Sequence, residues 1–341
     1  MRCSENFGEN LALEGAFVSP TTRRPLTWDA ERALFAAAGD AERFGCIADK
    51  IPDFRPDRRG LPADEIAGFR ARLAELWKRS EAEPLPPQAL VPASAADTRR
   101  YWRFVARSEL TGFLRWVAAG RPPYTQDQSM RRYAAVTDVY PRARRHLVTV
   151  FTSGGLATAP LALFKELSLG SALELIRREG IRSVLDFGCG WGANTIVLRR
   201  AFPDLHIWSF DYSPFRVLAT QFNLRTLGLT PYRLFIADGS RLPLPDRSID
   251  LVLTTHVLEQ MQEVLSPALT EIQRVARRFA WHVEPTYRYA RWLHRLRVRR
   301  LGYPRDIAER AVANGWRLLE QRPASPAWGR TPGELIVLAR P

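Results

Sequence analysis

Arg182-Ser183-Val184-Leu185-Asp186-Phe187-Gly188-Cys189-Gly190-Trp191-Gly192-Ala193-Asn194-Thr195 is the stretch whose reading decides the fold. Val184 and Leu185 belong to an apolar run that predicts a buried strand. Asp186 closes it, three glycines follow at alternate positions, and Ala193 to Leu198 predicts the start of a helix. A strand, a Gly-rich turn and a helix make a nucleotide-binding βα unit, because glycine reaches positive φ and lets a ligand approach the main chain. The spacing D-x-G-x-G-x-G is neither the G-x-G-x-x-G of a dinucleotide site nor the GK[ST] ending of a phosphate loop.

Downstream the pattern alternates strand and helix, which predicts a parallel sheet with helices on both faces. His206 to Asp211 reads as the second strand, followed by Ser213 as a helix cap and Pro214 in the first turn. An acidic residue here, about twenty residues beyond the Gly-rich turn, is placed to accept the ribose hydroxyls of a nucleoside. Tyr232 to Ala237 is the third strand, ending in Asp238-Gly239-Ser240, and Leu251 to Thr255 is the fourth. A helix from Ser266 to Arg277 and a fifth strand from Phe279 to Pro285 come next. A helix over 305–314 leads to two last strands, 316–321 and 334–339, expected as an antiparallel pair that closes the sheet.

These motifs resemble class I S-adenosylmethionine-dependent methyltransferases, of the small-molecule type. The segment Leu242-Pro243-Leu244-Pro245-Asp246-Arg247-Ser248-Ile249-Asp250 is similar to their L-P-[FL]-x-D-x-x-F-D run. The resemblance implies a Rossmann-like, seven-stranded doubly wound α/β sheet from 171 to 341, with S-adenosyl-L-methionine as cofactor. It implies that the turn Gly188, Cys189, Gly190 lies under the methionine part and that Asp186 meets the cofactor's amino-acid end. Asp211 would hold the ribose, Tyr212 the adenine edge and Asp238 the adenine amino group, with Gly239 and Thr255 beside them.

The acceptor side is read from the strand ends. His256 follows the fourth strand, where ligands of open α/β sheets sit, and histidine suits a general base because its pKa lies near neutrality. Glu259 could orient it or bind substrate, and Glu284, at the end of the fifth strand, is a second base or substrate-contact candidate. An N/D-P-P-[YF] tetrad is absent after the fourth strand, where the residues are Thr254, Thr255, His256 and Val257, so an adenine- or glutamine-amide acceptor is disfavoured.

Upstream, Pro62 to Ser80 predicts a helix with Ile66, Phe69, Leu73, Leu76 and Trp77 on one face. The prolines of 83–92 predict a linker. Residues 95–120 predict a second amphipathic helix whose aromatic stripe belongs to the core. Ser153 to Thr158 reads as a loop ahead of a helix from Pro160 to Leu167, and Gly180 as the stop of a helix over 171–179. The region 93–170 is therefore expected to be a helical cap, with Tyr124, Arg132, Tyr133 and Tyr140 as substrate-pocket candidates. Phe17 to Leu26 and Arg43 to Phe54 resemble the small zinc-ribbon family of methyltransferase activators, with Ser19 and Thr22 where its cysteines would stand and Lys50 in place of a glycine. Without thiolates such a site cannot hold tetrahedral zinc. The expected organisation is a degenerate, metal-free, zinc-ribbon-like module at 1–60, a helix and linker at 61–92, the cap at 93–170 and the methyltransferase domain at 171–341.

Composition bounds the partners. The 341 residues hold 46% hydrophobic and 25% charged residues, ordinary for a globular chain. No apolar run is long enough to span a bilayer, and Glu5, Glu9 and Glu14 interrupt any signal-peptide core. Three scattered cysteines make neither a disulfide framework nor a metal cluster, which fits a cytoplasmic protein. The net charge of +14 is almost all arginine, since lysine occurs only at 50, 78 and 165. Its dense cluster, 286–303, reads first as a solvated helix with its aromatics on the core, and otherwise as a site for a phosphate-bearing, nucleic-acid or anionic membrane partner. The expected function is O-methylation of a small molecule such as a sugar or natural-product intermediate. The alternatives are an RNA or translation-factor methyltransferase, a small-molecule N- or C-methyltransferase, and a non-catalytic cofactor-binding scaffold. The oligomeric state is not legible.

Overall fold

The computed structural model describes residues 16–29, 34–47, 51–55, 61–119 and 138–341. Tyr124, Arg132 and Tyr133 lie outside the described residues. The centre is a seven-stranded sheet of β8 (Ser183–Phe187), β9 (His206–Asp211), β10 (Arg233–Ile236), β11 (Ile249–Thr255), β12 (Ala276–Pro285), β13 (Arg317–Pro323) and β15 (Gly333–Ala339). Its order is β10-β9-β8-β11-β12-β15-β13, parallel except for β15, which runs antiparallel to both neighbours. The two last strands pair as expected. The order reverses beside β8, so a crevice opens at the carboxyl ends of β8 and β11, the place where such sheets receive ligands.

Helices cover both faces. β11 is buried along its whole length, as expected for a parallel strand sandwiched between helices. On one face Leu185, Val252, Ala280 and Leu338 meet Leu269 and Ile272 of α8 (Leu265–Val275). On the other, Val184, Leu253 and Trp281 meet Leu175 and Ile176 of α5 (Gly170–Glu179). Gly180 ends that helix in the left-handed conformation, φ 60°, a geometry that favours glycine.

The N-terminal residues form a small antiparallel sheet, β1 (Thr27–Asp29), β2 (Leu34–Ala36), β3 (Arg43–Ile47) and β4 (Ile51–Pro52). It seals the edge of the large sheet: the Phe54 N–H donates to the Ile236 carbonyl at 2.9 Å, and the Val18 N–H to Pro243. Phe17, Phe35 and Phe54 pack with Trp208 and Phe235 of the large sheet, ring centroids 4.7–6.3 Å apart. These residues share one core with β8 and β11. Where the expected cysteines are replaced, the buried Ser19 hydroxyl instead accepts the N–H groups of Thr21 and Thr22 at 3.3 and 3.0 Å. Among the described residues no group of three or more His, Cys, Asp or Glu could hold a metal ion.

The region expected to be helical is mixed. α1 (Ala63–Ala82) and α2 (Ala95–Ala119) form, then a one-turn helix α3 (Tyr140–Ala143). After it, Leu147–Thr152 (β6) and Gly155–Pro160 (β7) make a hairpin, not a loop. The β-branched Val148, Thr149, Val150 and Thr152 favour a strand, and Ser153-Gly154 makes the two-residue turn that folds it back. With β5 (Val91–Pro92) and β14 (Ala327–Trp328) the hairpin builds a second sheet beside the mouth of the crevice. The apolar stripe of α2 is core only in part: Tyr101 and Trp102 pack on Phe151, whereas Leu114 is 68% and Val117 58% exposed. No helix is long and apolar enough to cross a membrane among the described residues.

Candidate active site

A cavity of about 410 Å³ occupies the crevice, a size typical of small-ligand sites. One side is the Gly-rich turn between β8 and α6 (Ala193–Ala201). Gly188 has φ +76°, and a Cβ there would lie 2.7 Å from Val257, so only glycine fits. Gly188, Cys189 and Gly190 all face the cavity. Asp211 ends β9 and is buried; its carboxylate accepts the Gly190 N–H at 3.1 Å and the Ser213 N–H at 2.9 Å. It thus ties the turn to the start of α7 (Pro214–Thr226). Burial raises its pKa, against the pull of Arg216 and these N–H groups. Tyr212, Asp238 and Gly239 continue the same wall. Asp238 Oδ1 accepts the N–H and hydroxyl of Ser240. A Cβ on Gly239 would come within 2.5 Å of the Phe187 ring.

The other side comes from four segments. His256, Val257, Glu259, Gln260 and Met261 follow β11; Leu161 and Lys165 come from α4 (Leu161–Ser168); Arg297 and Tyr303 from the region of α9 (Trp292–Arg300); Trp328 and Thr331 from the chain around β14. Thr255 and Asn194 close the floor. His256 has φ +56°, an uncommon conformation outside glycine and one that clusters at functional sites. Its backbone is fixed on both sides: its N–H donates to Val283 and its carbonyl accepts from Gln260, each at 3.0 Å. Its Nδ1 lies 3.3 Å from Glu259 Oε2. A carboxylate there selects the Nδ1–H tautomer and leaves Nε2 as the basic nitrogen.

Three expected site residues lie elsewhere. Asp186 is fully buried and stands behind the turn, outside the cavity lining. Its oxygens are taken by Asn194 Nδ2 (3.0 Å) and Thr195 Oγ1 (2.7 Å). Asn194 also donates to Thr255 Oγ1 at 2.9 Å, so Asp186 is linked to the cavity floor through Asn194. Glu284 is also fully buried and outside the lining. It accepts the N–H groups of Val257 (3.1 Å) and Glu259 (3.4 Å) and the Thr254 hydroxyl (2.8 Å). These bonds tie it to the loop that carries His256. Burial, then the charge of Glu259, pushes its pKa up to about 7. Tyr140 lies outside the cavity; its ring carries the Arg200 guanidinium 4.4 Å above its centroid, and its N–H donates to Asn223.

Lys165, Arg216 and Arg297 line the cavity without having been expected there. Burial lowers the Lys165 pKa, while Asp186, Glu259 and Glu284 pull it back up. The one signal in the sequence was its rarity, a lysine in a chain whose cations are otherwise almost all arginine.

Residues 184–278 match the family described as a methyltransferase domain. A malonyl-[acyl-carrier protein] O-methyltransferase from Hahella chejuensis (strain KCTC 2396) is 28% identical over 115 residues, 33% of this chain and 39% of that protein. The chain thus spans about two fifths of the length of the curated relative it matches. Among solved structures, a magnesium protoporphyrin IX methyltransferase from Synechocystis PCC 6803 with bound SAM is similar at 18% identity and TM-score 0.41, over 52% of this chain and 81% of that one. The [4+2]-cyclase SpnF is similar at 18% identity and TM-score 0.49, over 64% and 98%. The stretch that matches the methyltransferase domain model, 184–278, contains the Gly-rich turn along which the cavity lies.

Proposed function

We propose that the protein is an S-adenosylmethionine-dependent methyltransferase that delivers the methyl group to an oxygen of a small molecule. The carrying observation is a cavity that joins the glycine turn, Asp211 and Asp238 on one side to the His256–Glu259 pair on the other. The residues fit the cofactor. Gly188, Cys189, Gly190 and Gly239 bring main chain without bulky side chains to the cavity wall, and two carboxylates end neighbouring strands. Asp211 is placed for the ribose hydroxyls, Asp238 for the adenine amino group, with Tyr212 at the ring edge. Asp186 serves indirectly, through Asn194.

When bound, the cofactor supplies an electrophilic methyl group on a sulfonium; the protein's part is alignment and, for a hydroxyl acceptor, a base. His256 Nε2, with Nδ1–H held by Glu259, is the group placed to take the proton. Glu284 keeps that loop in register through main-chain N–H groups. Of the arginines of 286–303 that do not line the cavity, Arg288 pairs with Glu309, Arg291 lies over the Trp102 ring, Arg295 and Arg299 lie over the Tyr287 ring, and Arg300 pairs with Glu109. That supports a small-molecule acceptor over a nucleic acid.

The test is transfer of labelled methyl from S-adenosylmethionine to a panel of hydroxyl and carboxylate acceptors. A positive acceptor should lose about 10²–10⁴ in rate with His256→Ala if histidine is the base, while affinity for S-adenosylhomocysteine holds. A protein that does not bind S-adenosylhomocysteine at all is not this enzyme.

A further inference from the structure

The acceptor half of the cavity has a charge pattern that the methyl donor does not explain. Glu109 on α2 is 1% exposed, and its one carboxylate is shared by three guanidiniums. Arg297 reaches Oε1 at 3.4 Å, Arg330 reaches Oε1 at 3.2 Å, and Arg300 reaches Oε2 at 2.9 Å. One anion set against three cations leaves the cluster with an excess of two positive charges, and one of its arginines lines the cavity. Among the described residues, the other acids that line the cavity do not offset it. Asp211 and Asp238 stand on the nucleoside side, Glu259 is beside His256, and Asp138 pairs with Arg142. Nearby His294 is buried and stays neutral, its pKa lowered to about 4 by burial.

Of the three arginines only Arg297 faces the cavity. It is recessed, its side chain 18% exposed, so a small ligand can reach it where a polymer backbone cannot. Its Nε donates to Thr331 Oγ1 at 3.2 Å and Nη1 to Glu109. Those two contacts fix the plane of the guanidinium and leave Nη2 donors over, the arrangement in which arginine receives an oxyanion. Tyr303, Trp328 and Thr331 complete the wall.

We propose that the acceptor is a small molecule carrying an oxyanion, a carboxylate or a phosphate, and that Arg297 receives that group while Glu109 holds Arg297 in place. This rests on the methyltransferase reading and names its substrate class. Arg297 is a substrate-binding residue, and Glu109 acts through it as a positioning residue.

The experiment uses the full chain saturated with S-adenosylhomocysteine, whose own binding is measured first by calorimetry. Failure of that first step sinks the cofactor reading, whereas the anion titrations decide the acceptor. Malonate, inorganic phosphate and the neutral malonamide are titrated at constant ionic strength. Saturable binding of malonate or phosphate, but not malonamide, is expected. Arg297→Gln should weaken it at least tenfold with S-adenosylhomocysteine affinity within twofold of the parent, and Arg299→Gln, exposed on the outer face of α9, should change neither. Preference for malonate identifies a carboxylate, preference for phosphate a phosphoryl group. If Arg297→Gln does not fold, Arg297→Lys decides: it keeps the charge and loses the fork, so at least threefold weaker binding supports the site. No saturable binding of either anion, or equal binding in the foldable Arg297 variant, overturns the proposal.

Discussion

Glu284→Gln should flatten the dependence of stability on pH without abolishing methyl transfer. Glu284 sits at zero exposure and its pKa is pushed up to about 7. The unfolded chain releases this proton near the ordinary glutamate value, so between that value and about 7 the native state binds more protons than the unfolded one. Stability therefore falls as pH rises through this window. Integrated from pH 5 to pH 8, the loss is about 2.5 kcal/mol, at about 1.36 kcal/mol per unit. Glutamine cannot titrate, so that component vanishes. Asp186 and Asp211, also raised by burial, contribute the same sign in both proteins and cancel in the difference. Chemical denaturation at pH 5 and pH 8 reads it directly: the parent should lose about 2.5 kcal/mol more than the variant across the interval. The same slope in both proteins would refute the buried, proton-holding role. Loss of methyl transfer with unchanged stability would restore Glu284 as a base.

Asp211→Ala should weaken S-adenosylhomocysteine binding by about 3 kcal/mol, roughly 150-fold, from loss of charge-assisted hydrogen bonds; unchanged affinity in calorimetry would defeat the nucleoside assignment. Gly239→Ala places a methyl 2.5 Å from Phe187, and an overpacked core of this kind typically loses about 1–3 kcal/mol, measured as a fall in denaturation midpoint with an unchanged slope. Phe54→Ala removes a ring that is 2% exposed and packs on Phe17, Phe35, Phe44 and Phe235. It should destabilise by about 3–5 kcal/mol, and limited proteolysis should then cut residues 16–55 well before the large sheet; simultaneous loss of both would show that the two do not separate.

The parallel sheet was legible because each strand is short, apolar and closed by a chemically distinctive residue. Asp186, Asp211 and Asp238 mark three strand ends, and the His206–Asp211 strand lies where its pattern places it. The β6–β7 hairpin was not, because Ser153-Gly154-Gly155 reads equally well as a loop before a helix. Only pairing with β14, far downstream, settles it. Asp186 shows a second limit. Its position in the motif is clear from sequence, but whether an acid faces a ligand or a neighbouring Asn194 depends on a side-chain contact eight residues away. The acceptor wall was least legible: Lys165, Arg297 and Trp328 converge from three separate segments, and no local spacing records that convergence. Glu109 was hidden in a stripe read for its aromatics, although a carboxylate on an apolar helix face asks for a buried cation.

The seam between Phe54 and Ile236 has a consequence for how the protein behaves on dilution. An exposed edge strand invites pairing with other chains, and here β10 is covered by a segment of its own chain. Covalent linkage sets the local concentration of that cover, on the order of millimolar for a short connection. Closure of the edge is therefore independent of protein concentration and of the supply of a second subunit. A single protease cut between Phe54 and α1 would turn the same contact into an encounter of two molecules, and only then would the sheet's edge open as the solution is made more dilute.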